Sequence, residues 1–162
     1  MSGGNSPELN LDATGLRVAI VASQWHEQVM AGLIEGAIAA CEKAGASYEL
    51  IRVPGAFELP LGCQAIARPR KADAIVALGV VIRGGTPHFE YVCQAATQGL
   101  VRVGLDEGIP IGFGLLTVDN EQQALDRSGL EGSREDKGAE AVEAALFMAI
   151  AHRAPESNVG FR

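Results

Sequence analysis

The sequence predicts an α/β fold of three layers, with helices packed on both faces of a four-stranded parallel sheet. Three observations carry that expectation. Short apolar runs rich in Val and Ile recur at 17–22 (RVAIVA), 74–82 (AIVALGVVI) and 109–118, with a mixed run at 47–53. Continuous apolar runs of this length mark strands buried on both faces. Between them lie segments of helical period and ordinary helix length, and right-handed crossovers then place helices on either side of one sheet. The natural strand order is 2-1-3-4. It puts a topological switch point between the first and third strands, where such sheets bind ligands.

Residues 1–8 are polar and glycine-rich and read as a disordered leader with no secretory pattern. Leu9 and Leu11 alternate with Asn10 and Asp12, enough for a short strand without an evident partner in its own chain. After the 17–22 strand, Ser23 is the natural N-cap. Val29, Met30, Leu33, Ile34, Ala37, Ile38 and Cys41 give the next helix a wide apolar face, which ends at Gly45. The 47–53 strand has mixed sides and belongs at an edge. PGAFELP at 54–60 bares the backbone at Gly55 and Ala56, offers the flat ring of Phe57, and sets Glu58 before a helix running to Pro69.

The 74–82 strand stops at Arg83, Gly84 and Gly85. Thr86 is suited to cap, and Pro87 to begin, a helix whose Val92, Cys93, Ala96, Leu100 and Val103 share one face. Residues 106–108 turn the chain into the last strand. Asp119 with Gln122 resembles a capping box for a short helix through Arg127. Residues 128–132 form a loop, and Ser133 with Asp136 caps a final helix whose Ala139, Val142, Leu146 and Ala149 face inward. The expected organisation is an N-terminal arm over 1–15, one domain over 16–154, and a loose tail over 155–162.

Composition narrows the function. The chain of 162 residues has room for one domain with a substantial core. A 48% apolar share with 20 glycines and only one Trp, two Tyr and five Phe suits close helix–sheet packing. A net charge of −7 argues against nucleic acid or an anionic membrane as partner, while leaving room for a local anion site. Cys41, Cys63 and Cys93 are odd in number and scattered, which points to buried reduced thiols in a cytoplasmic protein. His26, His88 and His152 are too dispersed for a metal motif. No apolar run approaches the ~18 residues of a membrane span.

The junction after the 74–82 strand has a chemistry of its own. Two glycines let backbone N–H groups turn toward a ligand, and a helix start adds unpaired donors and a partial positive charge. Arg83 offers a fork of donors to an oxyanion, and His88 in the first helical turn is a proton carrier suited to neutral pH. Such a cradle suggests chemistry on a phosphorylated or carboxylated small molecule, although the same residues would also make a plain tight turn with a surface histidine. No phosphate-binding G-x-x-x-x-G-K-[ST], no G-x-G-x-x-G after the first strand and no G-x-S-x-G elbow is present. Trp25, Phe57 and Glu58 are further candidates, each with a plain use as ring packing or helix-start charge. Arg127 and Lys137 are by default solvated.

VPGAFELP at 53–60, ALGVVIRGGTPHF at 77–89, LDRSG at 125–129 and DKGAEA at 136–141 together resemble the lumazine synthases, in order, over roughly residues 16–151. The resemblance implies a flavodoxin-like fold and a transferase of riboflavin biosynthesis. That enzyme condenses 5-amino-6-(ribitylamino)uracil with 3,4-dihydroxy-2-butanone 4-phosphate, without metal or other cofactor, at a site shared by two subunits. Residue by residue, it implies that Trp25 stacks on the uracil ring. Ala56, Phe57 and Glu58 then line the ribityl pocket, and Val80, Val81 and Ile82 bind the pyrimidine through their main chain. Gly85 and Thr86 cradle the phosphate, Gly85 by backbone alone. His88 transfers protons. Phe113 and Arg127 come from the neighbouring subunit, to the ring and to the phosphate, so that Arg127 replaces Arg83 as the anion ligand. Lys137 matches a family lysine near the site. The second reading is a non-catalytic lumazine- or flavin-binding or shell-forming protein of the same fold; His88, Arg127 and Glu58 together favour the enzyme.

An outermost 47–53 strand exposes unpaired backbone groups, and the Leu9–Leu11 stretch lacks a partner. The N-terminal segment is therefore expected to add to a neighbour's sheet, head to tail, in a closed ring. The resemblance implies a homo-oligomer, a pentamer, which in some members builds a sixty-subunit shell. Residues 130–136 form an apparent extension carrying Glu131, Arg134, Glu135 and Asp136, which points to an isolated pentamer or a pair of pentamers.

Overall fold

Strand β3 (Ala74–Ile82) runs through the middle of the sheet, and its first seven residues are buried. In this computed structural model, which describes residues 9–153, β3 pairs in parallel with β1 (Arg17–Ser23) on one side and β4 (Ile111–Val118) on the other. Strand β2 (Ser47–Val53) pairs with β1 at the outer edge, and the order is β2-β1-β3-β4, as expected. The leader over 1–8 and the tail over 155–162 lie outside the described residues.

Alternation along the strands divides the core in two. Val18, Ile20 and Ala22 of β1 and Val76 and Leu78 of β3 pack under α1 (Glu27–Ala44) and α5 (Lys137–Arg153), with Met30, Leu33, Val142 and Leu146. Ala19, Val21, Ile75 and Ala77 face the other way, onto α2 (Leu59–Ala67) and α3 (His88–Glu107), with Leu59, Cys63 and Leu100. A period of two along each strand thus supplies both layers.

Several caps differ from expectation, each for a local reason. Ser23 does not cap α1: it ends β1, is 1% exposed, and its hydroxyl reaches the Met30 sulfur at 3.7 Å. His26 is the N-cap instead, in a left-handed conformation (φ 62°, ψ 60°) that histidine adopts more readily than most residues. Pro87 is the N-cap of α3 without a side-chain cap bond, so Thr86 stays in the turn and His88 is the first helical residue. The short helix α4 (Glu121–Leu125) is capped one residue later than read: Asn120 Oδ1 accepts from Gln123 N–H at 3.0 Å, while Gln123 Oε1 accepts from Asp119 N–H at 2.9 Å. Asp136 Oδ1 accepts from Ala139 N–H at 2.9 Å, whereas the Ser133 hydroxyl turns to the Leu125 carbonyl and to Ser128. β4 starts at Ile111 and not at 109, because the N–H of Ile109 donates to the Gly104 carbonyl and closes the end of α3.

Gly45 ends α1 in the left-handed region (φ 74°), as its position predicts. Leu9 and Leu11 form no strand; Leu11 packs against the α1–α5 core, and Ala13 is buried, its N–H donating to the Ala44 carbonyl at 2.8 Å.

Helices α1 and α5 meet closely at Gly138, where a Cβ would stand 2.0 Å from the Leu33 carbonyl oxygen. Both sides of that contact are main chain, so neither yields by a rotamer change. Gly138→Ala is expected to cost about 1–3 kcal/mol or more by overpacking; an unchanged melting temperature would show that the helices re-space freely.

Asp73 braces the N-terminal rim of the sheet. Its Oδ2 accepts from the backbone and Nε of Arg17 at 2.8 and 3.2 Å, and its Oδ1 pairs with Arg153 at 2.6 Å. Burial pushes the carboxyl up, but the Arg17 hydrogen bonds and the Arg153 charge outweigh it and hold the group below the ordinary aspartate range. The unfolded chain therefore takes up this proton first as pH falls. The stabilisation from Asp73 is full above about pH 5 and is lost as pH drops through the folded value. Asp73→Asn should weaken the protein to urea at neutral pH, and the gap to the parent chain should close as pH falls through the lowered folded value. A gap of constant size across that range would remove the carboxylate as its source.

Candidate functional site

The carboxyl ends of the strands converge on one rim. Gln24, just past β1, donates its N–H to the Pro54 carbonyl at 3.3 Å, and Arg52 donates to the Ser23 carbonyl at 3.0 Å, tying the exits of β1 and β2 together. The left-handed turn at His26 then leaves Trp25 on the surface, 69% exposed. A 3-10 turn over Ala56–Glu58 follows β2, with Ala56 buried, Phe57 64% exposed and Glu58 half-buried. A Cβ on Gly55 would lie 3.2 Å from Glu58 Oε2 and 3.9 Å from the Trp25 ring atoms Cδ1 and Nε1. The bare backbone of Gly55 thus lets an indole edge and a carboxylate share one spot.

The switch point has an open seam. The β1–β3 ladder runs from Val18–Ala74 to Ala22–Leu78, whereas the β3–β4 ladder continues to Ile82–Val118. Residues 79–82 therefore keep their β4 pairing and carry main-chain groups beyond the end of the β1 ladder. Donors and acceptors at fixed spacing on such a seam suit the edge of a flat heterocycle. Val80 is buried and Val81 and Ile82 are half-buried, so the seam has apolar walls.

Beyond it, residues 83–88 are exposed. A Cβ on Gly84 or Gly85 would meet nothing within 4 Å, so the turn is open to a ligand. The N-terminus of the 20-residue α3 points its unpaired donors there, with His88 as first residue. Arg83 is not free for an anion. Its Nε pairs with Asp119 at 2.8 Å, its Nη1 with Glu90, and its guanidinium lies 4.3 Å from the Phe89 ring centroid. It braces the β3–α3 turn against Asp119, just past β4, and against Glu90 in the first turn of α3, a use that neither partner's position in the sequence announces.

Phe113 does not converge on this rim within one chain. It pairs with Ala77, five strand positions before the Ile82 exit, or roughly 17 Å at the rise of a strand. The end of β4 does reach the rim: the Val118 carbonyl accepts from the Arg83 N–H at 2.9 Å, and Asp119 accepts from Arg83 Nε at 2.8 Å. Phe113 is 48% exposed and lines an open apolar groove of about 450 Å³ with Val101, Leu105 and Met148.

Arg127 is half-buried, its Nη1 donating to the Gln123 carbonyl at 2.9 Å. Lys137 pairs with Glu135 and, at 2.7 Å, with Glu140. Burial lowers the Lys137 ammonium pKa, but these two carboxylates outweigh it and hold the group charged. Among the described residues, no hydrogen bond or ion pair joins Arg127 or Lys137 to the glycine turn.

Thiol chemistry has no foothold in the core, where burial pushes Cys41 up to about 11 and Cys63 up to about 12. Among the described residues, no group of three or more His, Cys, Asp or Glu is placed to hold a metal ion, and no helix is long and apolar enough to cross a membrane.

The rim therefore joins an aromatic and a carboxylate, an open seam for a flat ring, and an anion cradle beside a histidine. The family model described as 6,7-dimethyl-8-ribityllumazine synthase matches residues 15–153. The chain belongs to that family. It is similar to the 6,7-dimethyl-8-ribityllumazine synthase of Kineococcus radiotolerans, 62% identical over 94% of this chain and 95% of the relative. The corresponding protein of Leifsonia xyli subsp. xyli is 60% identical over 95% and 98%. That of Streptomyces coelicolor is 59% identical over 94% and 96%. Membership of the lumazine synthase family thus rests on nearly the whole chain.

Proposed function

We propose that the chain is a lumazine synthase, joining 5-amino-6-(ribitylamino)uracil and 3,4-dihydroxy-2-butanone 4-phosphate in the penultimate step of riboflavin biosynthesis. The observation that carries the reading is the open seam of residues 79–82, flanked by Trp25 and Glu58 on one side and the glycine turn on the other. The seam takes the pyrimidine edge through the main chain of Val80, Val81 and Ile82, while Trp25 stacks on the ring. Ala56, Phe57 and Glu58 hold the ribityl chain. Gly85 and Thr86 cradle the phosphate with the α3 N-terminus.

In this reaction the uracil 5-amino group attacks the ketone, and loss of water gives an imine. Phosphate leaves by elimination, the enol tautomerises, and the ribitylamino nitrogen closes the ring with loss of a second water. No net oxidation occurs, so the chemistry needs no redox cofactor. Every step moves a proton, and the role of carrying it is assigned here to His88, a reading supported by its position as the first residue of α3 beside the glycine turn. Holding two reactants together supplies much of the remaining acceleration.

Phe113 and Arg127 then act from the neighbouring subunit, a reading supported by the separation of Phe113 from the rim of its own chain. Such a site implies a closed head-to-tail ring, a pentamer, with the stretch at Leu9–Leu11, ahead of the buried Ala13, reaching to the neighbour's sheet. The extension over 130–136 favours an isolated pentamer or a pair over a sixty-subunit shell. Glu131 and Arg134 are its exposed charges, since Glu135 pairs with Lys137 and Asp136 caps α5. A cytoplasmic location, and one domain over 16–154, complete the proposal.

Mixing both substrates with the protein and following lumazine fluorescence tests the activity. Product formation supports the synthase. Tight binding of lumazine or flavin without turnover would favour the non-catalytic reading instead. Hollow particles of sixty chains in electron microscopy would overturn the assembly and leave the activity standing.

A further inference from the structure

The segment that carries Arg127 and Lys137 is a closed loop. The Lys137 N–H donates to the Arg127 carbonyl at 3.1 Å, Ser128 and Asp136 form an antiparallel bridge, and the Gly129 N–H donates to the Glu135 carbonyl at 3.1 Å. The Asp126 carbonyl accepts from the N–H groups of Arg134 and Glu135 at 2.9 and 3.0 Å. Arg127 and Lys137 are thus joined back to back where the loop closes.

This loop lies on α1 through glycines. A Cβ on Gly32 would stand 2.4 Å from the Ser128 carbonyl oxygen, and one on Gly36 would stand 2.3 Å from Asp136 Oδ1. Gly129, with φ +75°, would put a Cβ 2.6 Å from the Asp136 carboxyl carbon. The Asp136 side chain therefore fills a slot between a glycine of α1 and a glycine of the loop, while its Oδ1 holds the Ala139 N–H. Burial pushes its carboxyl up, and the N–H groups of Gly138 and Ala139 offset part of that. The slot makes use of the shape and acceptor oxygen of the side chain more than of its charge.

We propose that Asp136 is a positioning residue, which seats the 126–137 loop on α1 and so sets the reach of Arg127 toward a phosphorylated substrate. The inference rests on the synthase reading and on the phosphate role of Arg127. Asp136 itself touches no substrate. Its effect should appear in the binding of the phosphorylated ketone and not in that of the uracil.

The test is steady-state kinetics on the assembled protein with three variants, Asp136→Ala, Asp136→Asn and Gly36→Ala. Asp136→Ala is expected to raise KM for the butanone phosphate roughly three- to thirtyfold, part of the loss of a charge-assisted phosphate contact. The KM for the uracil should stay within about twofold. Asp136→Asn, which keeps the acceptor and the shape, should return the ketone KM to near the parent value. Gly36→Ala leaves Asp136 in the sequence but invades its slot, and should reproduce the selective rise even if Asp136→Ala fails to fold. An unchanged ketone KM in Gly36→Ala, equal rises for both substrates, or failure of asparagine to rescue would overturn the proposal while the parent enzyme stays active. Absence of lumazine formation by the parent chain would overturn the synthase reading itself, and this inference with it.

Discussion

His88→Ala is expected to cut turnover by roughly ten- to ten-thousandfold, since general acid–base groups contribute ~10²–10⁴ and water or the leaving phosphate partly substitutes. His88 begins α3 on an exposed turn, away from both cores. Its removal therefore costs the fold little, and the melting temperature should hardly move. Both Michaelis constants should change far less than turnover, because the seam, the glycine turn and the aromatic contacts remain. Full turnover at saturating substrates in His88→Ala would remove the proton-transfer role.

The second large effect belongs to Arg127. Arg127→Ala should weaken binding of the phosphorylated ketone roughly ten- to a hundredfold, the worth of a charge-assisted hydrogen bond to an anion at about 1.5–3 kcal/mol. The uracil should be spared. The side chain also donates to the Gln123 carbonyl at 2.9 Å, which steadies α4, so unfolding must be followed in parallel. Similar damage to both Michaelis constants would point to a fold or assembly defect.

The architecture was legible because its signals are local. The apolar runs at 17–22 and 74–82, the mixed run at 47–53 and the helical periods between them each declare an element without reference to its neighbours. The strand order followed from crossover handedness. Caps were less legible, because several residues of the right type compete within two or three positions. Ser23 lost to His26 because the chain bends one turn later, and Ser133 lost to Asp136 because its hydroxyl is taken by Leu125. The placement of Phe113 needs sheet register, which no single strand reveals. The loss of Arg83 to Asp119 and Glu90 likewise needs the β3–β4 register together with the first turn of α3. Asp136 did leave a trace, as the last capping residue before the helical period of 137–153.

The two deeply buried thiols have a use to the experimenter. Cys41 sits in the α1–α5 core and Cys63 in the α2–α3 core, on opposite faces of the sheet. Both side chains are fully buried, and burial pushes both thiols well above their ordinary value, so neither offers a reagent the accessible thiolate that alkylation requires. Labelling of either sulfur thus waits for its own layer to come away from the sheet. Each sulfur serves as a clock for one layer, so partial opening of one face can be timed separately from the other.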